Sequence, residues 1–144
     1  MNKILAAVDF SDLATVVLDY TVRFAKAFGS EVMILHVEPP APAFIGTEMS
    51  PPIISEQHTE EVERIIGDLK SMVQFLNDNG IRSSYEFIQG PIVDTIINKS
   101  KEYEADLILM GAHSHGFLYR AFIGSISSGV MKVSTCPVMV IPER

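Results

Sequence analysis

The chain has 144 residues and a formal charge of −7, with 47% hydrophobic and 20% charged residues. That length suits a single domain with a substantial core, and that mixture excludes an intrinsically disordered chain. The 11 Lys and Arg residues are scattered along an acidic chain, so nucleic-acid binding is not expected.

Met1-Asn2-Lys3 leads into a short apolar run broken by Asp9, which reads as neither a signal peptide nor a membrane span. Ile4 to Val8 is a continuous apolar run, as a parallel strand covered on both faces requires. Ser11 is placed to cap a helix in which Leu13, Val17, Tyr20 and Phe24 share a face, and Gly29 is placed to end it. Val32 to Val37 is the second apolar strand. Glu38 to Pro52 holds five prolines, Pro39, Pro40, Pro42, Pro51 and Pro52, and reads as a long surface loop. From about Ser55 to Asn79, Val62, Ile65, Ile66, Leu69, Met72 and Leu76 recur at helical spacing, with Gly80 as the stop. Tyr85 to Ile88 begins by alternating and predicts a strand nearer a sheet edge. Pro91 suits the first turn of a third helix with Val93, Ile96 and Ile97 inward. Leu107 to Met110 is another buried strand. A fourth helix starts at Gly124-Ser125 and ends before Pro137, and Val138 to Ile141 is the last strand. The lone cysteine, Cys136, precedes that strand; it reads as an inert core thiol and fits a reducing, cytoplasmic setting.

The order β-α-β-α-β-α-β-α-β predicts one α/β domain over 1–144, a Rossmann-like open parallel sheet with helices on both faces. In such sheets ligands bind at the carboxyl ends of the strands, where strand order reverses. Here those ends carry Ala7-Val8-Asp9, His36-Val37 and Met110-Gly111. After Gly111 the chain runs through His113, Ser114, His115 and Gly116 to Gly124-Ser125-Ile126-Ser127. A helix beginning at Gly124-Ser125 would turn free N–H groups and a positive dipole end toward an anion. Glycines at Gly111, Gly116 and Gly124 permit positive φ and close backbone approach, and Ser125 and Ser127 supply hydroxyls. Equally, these residues could form a tight turn and an ordinary helix cap.

His113 and His115, two apart in an extended loop, would point in opposite directions, and with no Cys, Asp or third His nearby they are not expected to hold a metal. His36, within an apolar strand, reads as a hydrogen-bonded core histidine. No Lys-Ser/Thr pair follows the glycines, so the loop is not a P-loop, and fast ATP hydrolysis is not expected. No catalytic residue is identified. Glycines after the first strand, which a dinucleotide fingerprint needs, are replaced by Asp9-Phe10-Ser11. A receiver domain would carry aspartate where Phe87-Ile88-Gln89 stands.

The whole chain resembles the universal stress protein family. The resemblance lies in Ile4-Leu5-Ala6-Ala7-Val8-Asp9-Phe10-Ser11, in Leu35-His36-Val37, and in Cys136-Pro137-Val138-Met139-Val140-Ile141-Pro142. Its most specific part is the loop. Nucleotide-binding members carry Gly, two residues, Gly, nine residues and Gly-Ser; this chain has Gly111, two residues, Ser114, nine residues from His115 to Ile123, then Gly124-Ser125.

The resemblance implies a five-stranded sheet of order 3-2-1-4-5 and a regulatory protein holding ATP or AMP, with any Mg²⁺ held mainly by the phosphates. It implies that Asp9, after Ala7 and Val8, lies near the ribose and that the Val37 backbone meets the adenine edge. Met110, Gly111, His113, Ser114, His115, Gly124, Ser125, Ile126 and Ser127 would then surround sugar and phosphates. Asp9 has a competing role as a cap for the helix that follows. Serine at Ser114 fills space where a phosphate would approach and resists left-handed backbone, so weaker triphosphate binding is expected. The resemblance also implies a homodimer formed through Val138 to Ile141, an uncharged edge of the kind that favours pairing unless something covers it. The alternative is a dimeric interaction protein that has lost its nucleotide; a slow ATPase is the most that catalysis would amount to.

Overall fold

The computed structural model describes residues 1–40, 56–112 and 124–142. Its elements are β1 (Lys3–Ala7), α1 (Leu13–Phe28), β2 (Glu31–Glu38), α2 (Glu56–Asp78), β3 (Ser83–Gln89), α3 (Ile92–Glu102), β4 (Leu107–Gly111), α4 (Ser125–Val133) and β5 (Val138–Ile141). The strands form one parallel sheet in the order β3-β2-β1-β4-β5. The expected fold class and strand order are therefore observed.

Continuous apolar runs follow from burial on both faces. Ile4, Ala6, Ile34, Leu107 and Leu109 point toward α1 and α2, where they meet Val17, Ala25, Ile65, Leu69 and Leu76. Leu5, Leu35, Val37, Ile108 and Met110 point the other way, onto Ile96 and Ile97 of α3 and Val130 of α4. β3 lies at one edge and is mostly half-buried, in keeping with its alternating start. β5 lies at the other edge, beside β4.

Helix ends follow local chemistry. Gly29 closes α1 in the left-handed region at φ 66° and donates to the Ala25 carbonyl. Gly80, at φ 77°, lets the chain leave α2 while Ile81 N–H returns to the Leu76 carbonyl at 3.0 Å. Pro91 stands at the N-cap of α3, one place before the first turn. At the far end of the sheet, the Asp106 carboxylate accepts from the N–H groups of Asn2 and Lys3 at 2.6 and 3.0 Å. These bonds hold its carboxyl below the usual carboxylate range.

The start of α1 differs from expectation. Asp12, not Ser11, is the N-cap, and no side chain caps the helix. The Ser11 hydroxyl and N–H both donate to Asp9 Oδ1, at 2.6 and 3.0 Å. This closes a local side-chain turn around Phe10, whose φ is +57°. Of the expected loop 38–52, Glu38 closes β2, Pro39 and Pro40 follow it, and the remainder lies outside the described residues.

Candidate functional site

A cleft of about 740 Å³ opens over the carboxyl ends of β1, β2 and β4 and the start of α4. It stands where strand order reverses, because β1 has β2 on one side and β4 on the other. The topology brings together Ala7, Val8 and Asp9 from the end of β1 and its turn, Val37 from β2, Met110 and Gly111 from β4, and Gly124, Ser125, Ile126 and Ser127 from α4. Residues up to 120 positions apart in sequence thus share one surface. His113, Ser114 and His115 lie outside the described residues.

Neither Gly111 nor Gly124 serves through positive φ, and Gly116 lies outside the described residues. Gly124 has φ −57° and ψ 158°, an extended conformation open to most residues, and Gly111 is also outside the positive-φ region. A Cβ built on Gly111 would stand 3.4 Å from Leu13 Cβ and 3.5 Å from Leu13 Cδ1, ordinary van der Waals contact, so the end of β4 packs against the first turn of α1 without requiring glycine there. Gly124 is buried at the N-cap, and its carbonyl accepts the first bond of α4, from Ser128 N–H at 2.9 Å. The N–H groups of the first turn have no acceptor inside the helix and form the electropositive end of the cleft.

The serines divide in role. Ser127 is buried, and its hydroxyl donates to the Gly111 carbonyl at 2.9 Å, joining α4 to β4. Ser125 is exposed at the rim. Asp9 and Glu38 bring two carboxylates to the lining, and no lysine or arginine lines the cleft among the described residues. No group of three His, Cys, Asp or Glu side chains suited to a metal occurs among the described residues.

Phe10, Ser11, Glu38, Pro39 and Ile92 also line the cleft, although no sequence pattern marks them as cleft residues. Ile96, read only as core, lines it as well. His36 is buried and hydrogen-bonded as expected, with Nδ1 2.7 Å from the Val8 carbonyl. It also forms part of the cleft wall. Its ring lies 4.6 Å from that of Phe10 and 6.0 Å from that of Phe87. Chemically, the cleft offers apolar walls from Val37, Ile92, Ile96 and Met110, the carboxylates of Asp9 and Glu38, and a helix start. That combination suits a flat, partly apolar ligand carrying hydroxyl and anionic groups.

The model of the universal stress protein family matches residues 1–142. The chain belongs to the universal stress protein family. Universal stress protein MJ0531 of Methanocaldococcus jannaschii is 30% identical over 144 residues, covering 99% of this chain and 82% of the relative. Universal stress protein UspA from Lactobacillus plantarum superposes with a TM-score of 0.80 at 26% identity, covering 97% of each chain. The universal stress protein from Archaeoglobus fulgidus in complex with dAMP superposes with a TM-score of 0.70 at 21% identity, covering 98% of each chain. The universal stress protein fold is thus shared by chains that have diverged across most positions. In this member, no helix among the described residues is long and apolar enough to cross a membrane.

Proposed function

We propose that this universal stress protein binds an adenine nucleotide, ATP or AMP, in the cleft and acts as a regulatory protein that holds the nucleotide without turning it over quickly. The observation that carries the reading is convergence. The loop ends Gly111 and Gly124-Ser125, matched by spacing to nucleotide-binding members, line the same cleft as Asp9 and Val37. The residues fit such a ligand. Val37, Ile92, Ile96 and Met110 suit a base, Asp9 suits a ribose hydroxyl, and the start of α4 suits a phosphate. The dAMP complex of the Archaeoglobus fulgidus protein supports the same ligand class.

Ser114 is expected to weaken the hold on a triphosphate, and any Mg²⁺ would be held mainly by the phosphates. With no base identified, catalysis amounts to a slow ATPase at most. The lone Cys136 is in keeping with a cytoplasmic setting. We further propose a homodimer through β5, supported by its edge position and by the partial exposure of Val138, Met139 and Val140. The departure from the glycine motif at Ser114 favours a second reading, a dimeric interaction protein without nucleotide.

Denaturing the purified protein and chromatographing what is released distinguishes the two. Adenine nucleotide in the supernatant supports the first reading. An empty protein that also takes up no added ATP or AMP by calorimetry supports the second. In the first case S114G binds ATP more tightly than wild type, and equal or weaker affinity contradicts the role given to Ser114.

A further inference from the structure

The β1–β2 ladder stops beside the cleft. Val8 N–H donates to the Leu35 carbonyl at 2.9 Å. By the regular alternation of a parallel ladder, Val37 N–H would be the next donor and the Val8 carbonyl its acceptor. That bond is not among those the described residues make. The carbonyl is taken by the His36 ring, whose Nδ1 lies 2.7 Å away. A carbonyl only accepts, so Nδ1 carries the hydrogen. The ring is held from several sides. Phe10 lies 4.6 Å from it between centroids, and Phe87 stacks at 6.0 Å, within 14° of parallel. Its Nε2 faces the Glu38 carboxylate at 3.8 Å.

We propose that His36 is a positioning residue for the nucleotide: by occupying the Val8 carbonyl it ends the ladder one bond early and leaves the Val37 N–H to the cleft, as a donor for the adenine edge. The inference rests on the adenine-nucleotide reading above. Its physical basis is that buried backbone groups seek partners. Without the ring N–H, the Val8 carbonyl and the Val37 N–H would satisfy each other, and the base would lose its donor. The same ring packs against Phe10, the left-handed residue in the turn that carries Asp9.

The test compares wild type with H36L and H36N. Leucine removes the donor while keeping apolar bulk, and H36M serves where H36L does not fold. Asparagine returns an N–H to the δ position. In the first measurement, calorimetry with AMP, H36L binds about three- to tenfold more weakly, the range of one net hydrogen bond, and H36N recovers most of the loss. In the second, on the ligand-free protein, nuclear magnetic resonance finds a hydrogen-bond coupling between the Val37 amide nitrogen and the Val8 carbonyl carbon in H36L but not in wild type or H36N. A variant that was merely destabilised would not gain a bond. Absence of that coupling in H36L overturns the proposal, as does an H36N that binds as weakly as H36L. A wild type that binds no AMP overturns the nucleotide reading instead, and the coupling still decides whether His36 ends the ladder.

Discussion

Asp9 Oδ1 accepts from both the amide and the hydroxyl of Ser11, while Oδ2 has no bond among the described residues and belongs to a side chain that lines the cleft. The two oxygens can therefore be tested apart. In D9N, the side-chain carbonyl can still accept from Ser11, but the free oxygen becomes an N–H₂ group. The expected outcome is a loss of roughly 1.5–3 kcal/mol in AMP binding, about ten- to a hundredfold, as for a hydrogen bond to a charged group. The denaturant midpoint should barely move. Calorimetry and urea unfolding check the pair, and a large fall in stability without loss of affinity would show that the residue serves only its turn. The competition between Asp9 and Ser11 for the helix cap could not be resolved from sequence. It turns on Phe10 adopting φ +57°, which a non-glycine residue seldom does and which no pattern announces.

Among the elements, α3 and α4 pack closely over one face of the sheet. A Cβ placed on Gly129 of α4 would stand 2.9 Å from Val93 Cγ2 of α3. That methyl sits on a stiff, β-branched side chain and cannot simply swing away. G129A is therefore expected to destabilise the protein. Overpacking costs roughly 1–3 kcal/mol, which outweighs the about 1 kcal/mol that alanine gains over glycine within a helix. Adding V93A should recover much of the loss, so a double-mutant cycle by urea unfolding should show strong coupling. Additive effects would contradict the contact. Because α4 also presents its first turn to the cleft, this packing sets where an anion would be held. The helices themselves were legible, because Ile65, Leu69 and Leu76 recur at helical spacing and Gly29 and Gly80 end their runs in the left-handed region. The second role of Ile96, and the place of Ile92 beside it, were not. A residue on the wall of a cleft and one in the core carry the same apolar signature.

At the scale of the whole molecule, parallel order was readable because strands buried on both faces have no polar side to alternate with. The reversal at β1 was not readable from pattern, since nothing local states which strands become neighbours; the family resemblance supplied it. The same order leaves β5 at an edge. Ile108 N–H donates to the Pro137 carbonyl and Ala112 N–H to the Ile141 carbonyl, so by alternation the backbone groups of Val138 and Val140 face outward. V140P removes one outward N–H while sparing the ladder to β4. If the proposed dimer forms there, wild type sediments at twice the chain mass of 15.9 kDa and V140P at once that mass. A V140P variant that remains dimeric would place the interface elsewhere. The convergence of β1, β2, β4 and α4 on one cleft, which the nucleotide reading depends on, is tested most directly by titrating AMP into isotope-labelled protein and following backbone amide resonances. The account predicts saturable shifts at Asp9, Val37, Gly111 and Gly124 to Ser127, with Lys26 and Arg82 at the opposite end of the sheet unmoved. An absence of saturable shifts, or shifts centred on that opposite end, would contradict it.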